Sequence, residues 1–406
     1  MRLITADIIF TGHTLPILNG VIAVDETGTI LEVLDTQAKE GHDFLNKRGL
    51  PAIEYFKGFI CPGFVNAHCH LELSYLKNKL TEGKGLSQFI HEIISKRKEA
   101  THDEILNAIN QAESEMIRNG IVAVGDICNT ADTIEVKKKQ KLIYHNFVEV
   151  FDIDPERAGE VFENGLKLAE EFAKSCGQDG VSVTPHAPYS VSPELLIKIN
   201  TRSYEKNSLL SIHNQEALSE NEMFKDGKGE LFELMKNFGL PPGNNRWPTG
   251  FSPLASVLRH LPSCNKLMFV HNTFASKDDV KWANQNNPQV WWCLCPNANL
   301  FIENRLPDIN MLAENVSPRI VLGTDSYASN YSLSILDELK TISLHYPNIS
   351  LHEILQWAGK NGAGFFGLLN QLGTIAKGKK PGLNHLTSVD VRKQKLTAAS
   401  GVQRIL

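Results

Sequence analysis

Pro62-Gly63-Phe64-Val65-Asn66-Ala67-His68-Cys69-His70-Leu71-Glu72 decides how the rest of the chain is read. An apolar run leads into two histidines with one residue between them. Residues two apart on a β-strand face the same side, so His68 and His70 present both imidazoles to one point at the strand's end, and Cys69 faces away. Two ligands do not make a metal site. Such a site takes three or four, so the remainder must come from elsewhere in the chain. Taken alone, the pair also fits two ordinary strand histidines.

Three later segments repeat the arrangement. Leu209-Leu210-Ser211-Ile212-His213-Asn214-Gln215-Glu216 is an apolar run ending in a histidine, with a carboxylate three residues on. Leu267-Met268-Phe269-Val270-His271-Asn272 ends in a histidine, and Arg319-Ile320-Val321-Leu322-Gly323-Thr324-Asp325-Ser326 in an aspartate. Each puts a metal-competent or proton-competent side chain at the C-terminal end of a buried strand, where (β/α)8 barrels keep their chemistry.

Working outward, short apolar runs alternate with long amphipathic segments from residue 58 to 373, the signature of repeated βα units. Strands are expected to end near His70, Asp126, Phe151, His186, His213, His271, Pro296 and Asp325. Helices are expected over 86–98, 103–119, 155–175, 193–200, 229–238, 254–260, 277–284 and 333–345. The expected fold is therefore α/β: a (β/α)8 TIM-like barrel with a small β-sandwich appendage formed by both termini. A doubly wound open sheet is the other architecture, but no glycine-rich phosphate turn follows the first strand.

Residues 1–57 alternate apolar and polar groups between glycine-bearing turns and read as a small antiparallel sheet, to which 374–406 returns. The domain boundaries are thus 1–57 plus 374–406 for the appendage and 58–373 for the barrel. Residues 216–253 read as an irregular, charged insertion containing Pro241-Pro242-Gly243-Asn244-Asn245, either a lid over the barrel mouth or an exposed excursion. Lys137-Lys138-Lys139-Gln140-Lys141 reads as a solvated helix end.

The 406 residues are 42% hydrophobic, enough for a large core. Forty-one basic against 46 acidic residues leave a net charge of −5, with no general pull toward nucleic acid or anionic membrane. A small-molecule substrate suits this balance better than a polyanion. Seven cysteines without a paired framework point to reduced thiols. Met1-Arg2-Leu3-Ile4-Thr5-Ala6-Asp7 lacks a signal pattern, and no apolar stretch is long enough to span a bilayer, so a soluble cytoplasmic protein is expected.

Taken together, the segments resemble the amidohydrolase superfamily in its deaminase and chlorohydrolase branch, from the N-terminal β segment to the tail. The residues that carry the resemblance are the 62–70 stretch, Thr184-Pro185-His186-Ala187-Pro188-Tyr189-Ser190-Val191-Ser192, and His213 with Glu216. They continue with His271, Cys295-Pro296-Asn297-Ala298-Asn299-Leu300 and Gly323-Thr324-Asp325-Ser326. The tail departs from it, with Pro381-Gly382 where many members place Ala-Asp.

The resemblance implies one divalent metal, Zn2+ or Fe2+, held by His68, His70, His213 and Asp325 with a water in an open position. Three imidazoles and a carboxylate suit such an ion on chemical grounds as well. Members with two metals bridge them with a modified lysine near the end of the fourth strand. Val181-Ser182-Val183-Thr184-Pro185-His186 has none, which favours a single ion. Glu216 is implied as proton shuttle, His271 as the group that orients the water, Asp325 as both ligand and base, and His186 as a substrate contact.

The segments 70–75 and 213–222 look most like the group acting on adenosine-type nucleosides, including 6-aminodeoxyfutalosine, methylthioadenosine and S-adenosylhomocysteine. Phe89, Trp247 and Phe251 are candidates for stacking on the ring; Glu72, Glu82 and Glu149 for the ribose hydroxyls; Ser326 for a further substrate contact. Members often pair into dimers, so a homodimer is compatible with the resemblance. Hydrolytic deamination is the leading expectation. Chloride displacement from a triazine or cyclic-amide opening are the rivals, and Glu216 favours a leaving group that needs protonation. A silent scaffold relative would be expected to lack a ligand or the shuttle, and this chain keeps all of them.

Overall fold

The computed structural model describes residues 1–46, 49–177, 180–239, 246–261 and 266–406. Two compact units emerge: Met1–Asn66 with Ser114–Ala123 and Ser334–Leu406, and Ala67–Glu113 with Val124–Leu333.

In the first unit both termini feed one seven-stranded sheet, with Gly401–Arg404, Leu383–Thr387, Ile53–Pro62, Arg2–Ile9, Val21–Val24 and Ile30–Leu34 in spatial order and Ile17–Leu18 also paired to Arg2–Ile9. Its alternating pattern buries Ile4, Ala6, Ile9, Ile22, Val24 and Ile30 against Ile60, Ile375 and Leu383. Two features depart from the antiparallel reading. Arg2–Ile9 pairs in parallel with Ile53–Pro62, and Lys39–Leu45 forms a helix. Alternation marks a strand but not its direction, and a parallel return needs a long connection, which residues 10–52 supply.

The remaining strands form two four-stranded sheets. One runs in the order Phe64–Cys69, Ile121–Cys128, Ile143–Val150, Val181–Pro185; the other runs Leu210–Asn214, Leu267–His271, Val290–Leu294, Ile320–Leu322. The second sheet is parallel throughout, and so is the pairing of Ile143–Val150 with Val181–Pro185. The strands end close to the expected positions, and the helices Gly85–Lys96, His102–Arg118, Ala158–Cys176, Pro193–Lys206 and Lys277–Asn286 fill the expected connections. At one edge the two sheets are joined by the Ser211 N–H donating to Thr184 Oγ1 at 2.8 Å and the His213 N–H to the His186 carbonyl at 2.9 Å. Across the other edge, the Thr324 and Asp325 N–H groups both donate to the His68 carbonyl at 3.1 Å.

Two expectations are corrected. The 216–253 stretch is not irregular, because it carries the helices Leu218–Asp226 and Glu230–Asn237 and runs into Pro253–Leu258. Met223, Phe224, Leu231 and Met235 pack with Leu86, Tyr189 and Phe301 in one apolar cluster, so helical spacing of apolar residues outweighs the charged composition. The Pro241 to Asn245 part of that stretch lies outside the described residues. Lys137 is no solvated helix end either: it is 2% exposed, with Nζ 2.5 Å from Asp126 Oδ2. Among the described residues no helix is long and apolar enough to cross a membrane.

Candidate active site

Strand ends bring the functional side chains together. His68 closes one strand and His70 follows it, His213 and His271 come from two strands of the second sheet, and Asp325 lies just past Ile320–Leu322. Gly323 makes this approach possible. A Cβ at that position would sit 2.7 Å from the His68 Cβ, so any larger residue would push the Asp325 turn away. His271 (φ 72°) and Asp325 (φ 56°) both occupy the left-handed backbone region that L-residues avoid. Such strain persists where surrounding structure enforces it, and it gathers at functional sites.

Asp325 Oδ1 lies 3.6 Å from His68 Nε2 and 3.5 Å from His70 Nε2, and His70 Nε2 lies 3.2 Å from His213 Nε2. His213 donates from Nδ1 to the His186 carbonyl at 2.8 Å, which leaves its Nε2 with a lone pair facing the cluster. Among the described residues, neither ring nitrogen of the fully buried His68 has a hydrogen-bond partner. One donor atom each from His68, His70 and Asp325 falls within 4.8 Å of the others, and the same holds for His68, His213 and His271.

Electrostatics agree with this geometry. Burial pushes His70 well below the usual histidine range and His213 down to about 3, so both imidazoles are neutral. Burial alone would raise the Asp325 carboxyl, but the imidazoles of His68, His70 and His271 hold it well below the usual carboxylate range. Neutral imidazoles and an ionised carboxylate converging on one point are the donor set a divalent cation requires.

Beside this cluster, Glu216 Oε1 lies 3.5 Å from His271 Nε2. Burial, with Asp325 and Glu303 nearby, raises the Glu216 carboxyl well above its ordinary value. His271 donates from Nδ1 to Asn299 Oδ1 at 2.8 Å, which turns Nε2 toward Glu216. The Glu216 N–H donates to Glu220 Oε2 at 3.1 Å, and Ser329 Oγ donates to Asp325 Oδ2. Asp126 Oδ1 accepts the Leu71 N–H at 2.8 Å, anchoring the turn after His70. Asn299, Glu220, Ser329 and Asp126 had no role in the sequence reading. Asn299 sat in a quoted motif and Glu220 four residues after Glu216, but spacing alone shows no hydrogen bonds.

A cavity of about 490 Å³ opens onto the cluster; His70, Glu149, His186, His213, Glu216, His271, Asp325 and Ser326 line it, and so does Phe89. Four other expected contacts lie elsewhere. Glu72 Oε2 accepts from the Asn129 and Thr130 N–H groups at 2.9 and 3.0 Å, with Arg97 3.6 Å from its other oxygen. Burial pushes this carboxyl up to about 7. Trp247 packs edge-on to Phe224 in the apolar cluster, ring centroids 6.0 Å apart, because its indole fills the space beneath the Leu218–Asp226 helix. Glu82 pairs with the Tyr331 hydroxyl, and Phe251 lies under the Arg259 guanidinium at 3.6 Å.

Parallel strands that deliver histidines and an aspartate to one point, with a buried carboxylic acid beside them, define a metal-dependent hydrolase centre. Residues 59–402 match the amidohydrolase family, and the chain belongs to that family. It is 26% identical over 389 residues to an aminodeoxyfutalosine deaminase of a Nitratiruptor species, covering 93% of this chain and 89% of that one. In three dimensions it superposes on the Helicobacter pylori aminofutalosine deaminase in complex with methylthio-coformycin. The TM-score there is 0.81, at 23% identity over the whole of both chains. It shares the fold, too, of the zinc-complexed atrazine chlorohydrolase of Arthrobacter aurescens, with a TM-score of 0.73 and 16% identity over 96% of this chain and 88% of that one.

Proposed function

We propose that this chain is a hydrolytic deaminase that removes the exocyclic amine of a purine-type ring in an adenosine nucleoside derivative and releases ammonia. The observation that carries the reading is Glu216: a buried carboxyl with a raised pKa, 3.5 Å from His271 and beside the ligand cluster. A carboxyl so placed can move a proton between an attacking water and a leaving amine, which an amine needs and a chloride does not. Support also comes from the relatives, among them the Nitratiruptor aminodeoxyfutalosine deaminase and a 5-methylthioadenosine/S-adenosylhomocysteine deaminase of Pyrococcus abyssi.

The architecture we infer is a closed (β/α)8 barrel carrying the terminal sheet as its appendage. Its support is the pair of hydrogen-bonded junctions, Thr184 with Ser211 and His68 with Asp325, that link the two four-stranded sheets at both edges. His68, His70, His213 and Asp325 would hold a single Zn2+, with Fe2+ as the other candidate. A second ion is disfavoured because the segment Val181-Ser182-Val183-Thr184-Pro185-His186 offers no lysine to bridge two ions. Free thiols at the six described cysteines favour a reducing, cytoplasmic setting.

When bound there, the ion supplies an activated water as nucleophile. The water oxygen bonds to the amine-bearing ring carbon. His271, its tautomer set by Asn299, orients that water through Nε2. Asp325 and Glu216 accept the protons the water loses, and Glu216 delivers one to the adjacent ring nitrogen. The leaving amine then takes the second proton, passed on from Asp325, the carbon–nitrogen bond breaks, and ammonia departs while the ring carbon keeps the water oxygen as a carbonyl. His186, whose Nδ1 pairs with Ser190 Oγ at 2.6 Å, faces the same cavity and stabilises charge on the tetrahedral carbon. Of the three carboxylates expected to meet the ribose hydroxyls, Glu149, 7% exposed and facing the cavity, is the one in position to do so.

The test is ammonia release by the zinc-loaded protein against adenosine nucleosides, guanine, cytosine, pterins and aminotriazines, with chloride release from a chlorotriazine as the control. Turnover confined to the adenosine group is expected. Silence toward every amine with metal confirmed bound, or chloride release alone, overturns the reading.

A further inference from the structure

The cavity that holds the reaction centre changes character along its depth. Its inner wall is buried and polar, with Glu216, His271, Ser326 and Glu149 all under 8% exposed. Its mouth carries large apolar groups beside paired charges: Ile94, Phe151 and Phe238 line it while remaining 48%, 50% and 48% exposed. Large apolar groups left half in water around one opening mark a place where an apolar partner sits. The cations at this mouth already face carboxylates. Arg157 lies 2.8 Å from Asp152, and Arg97 lies 3.6 Å from Glu72 with Asn129 Oδ1 at 3.5 Å.

Glu149 lies near the end of the strand Ile143–Val150 and Phe151 just past it, and both line the cavity, so Phe151 lies about 7 Å further along the chain direction. A nucleoside with its amine at Glu216 and its sugar hydroxyls at Glu149 therefore directs its 5′ carbon toward Phe151, Phe238 and Ile94. We propose that this mouth is a specificity subsite for an apolar, uncharged 5′ substituent, and that it discriminates against a zwitterionic or anionic one. Continuity with the reaction cavity makes the substituent of the substrate itself the occupant. The inference rests on the adenosine reading above.

Deamination of 5′-deoxy-5′-alkylthioadenosines, from methyl to butyl, by the zinc-loaded wild-type protein reads the subsite directly. Burying each added methylene at this mouth raises kcat/KM about fourfold, carried by KM. S-adenosylhomocysteine, with a chain of similar length ending in charges, falls at least tenfold below the butylthio compound. Phe151→Ser and Phe238→Ser each reduce the increment per methylene. Turnover of the whole series at one common kcat/KM, or preference for S-adenosylhomocysteine, overturns the subsite and leaves the deaminase reading standing. No turnover of any adenosine nucleoside overturns both.

Discussion

Two buried ionic groups sit in the same compact unit, and they are built on opposite principles. At Asp126 and Lys137 everything is matched. The ammonium lies 2.5 Å from one carboxylate oxygen and 3.2 Å from Cys128 Sγ, and the other oxygen accepts the Leu71 N–H at 2.8 Å. Burial works against the Lys137 charge, but Asp126 and Cys128 outweigh it and hold the pKa above that of an ordinary lysine. At the reaction centre the outward-facing atoms are matched, by the His186 carbonyl, Asn299 and Ser329, and the inward-facing ones are not. Asp325 faces the imidazoles of His68, His70 and His271, His68 has no hydrogen-bond partner among the described residues, and the carboxyl of Glu216 is raised by burial with Asp325 and Glu303 nearby. Protein interiors tolerate charge only when it is compensated. The saturated pair is thus a structural device, and the unsaturated cluster a place that a metal and a substrate complete.

The largest effect expected from this contrast is at Glu216. Glu216→Gln keeps the shape and removes the proton transfer, so kcat falls by about 10² to 10⁴-fold with metal content unchanged. Ammonia release at saturating substrate, alongside metal analysis of the same sample, checks it. A variant that turns over at the wild-type rate would strip Glu216 of its role. At the saturated pair the loss appears in stability instead. Lys137→Met leaves the Asp126 charge buried and alone, at a cost of about 3–5 kcal/mol in urea unfolding. Adding Asp126→Asn to that variant recovers much of the loss. If the single variant unfolds at the wild-type midpoint, the pair is not the device described.

How much of this was legible in the sequence follows the same division. Strand-end histidines announce themselves, because an apolar run stopping at His68, His213 or His271 has few other readings once several coincide; the strand ends and most helices followed from the same periodicity. Lys137 was misread because a run of lysines looks solvated, and only the fold shows that Asp126, eleven residues earlier in the chain, reaches it. Glu72, expected beside Glu82 and Glu149 as a carboxylate for the ribose hydroxyls, lies outside the cavity. Its oxygens are consumed by Asn129 and Thr130 N–H groups that no local pattern connects to it. Trp247 failed likewise: an aromatic in an irregular-looking stretch suggests a stacking platform, yet the helices around it turn that stretch into core. Direction of pairing in the terminal sheet was invisible for a simpler reason, since alternation is the same in parallel and antiparallel strands.

The smallest effect bears on where the unmatched cluster ends. His271 belongs to one of the three donor groupings found among the described residues, with His68 and His213, and also faces Glu216 at 3.5 Å. Asn299 separates the two possibilities, because its Oδ1 accepts from His271 Nδ1 at 2.8 Å and thereby holds the ring in place without reaching the ion position itself. Asn299→Ala frees the ring to rotate. If His271 orients the water, kcat falls about 10 to 100-fold, KM changes little, and zinc remains bound at one ion per chain after gel filtration. If His271 is instead a ligand, zinc affinity falls with kcat, and a chelator competition at fixed free zinc registers the loss before any substrate is added. The 3.5 Å approach of His271 Nε2 to Glu216 Oε1, with both side chains lining the cavity, favours the first outcome.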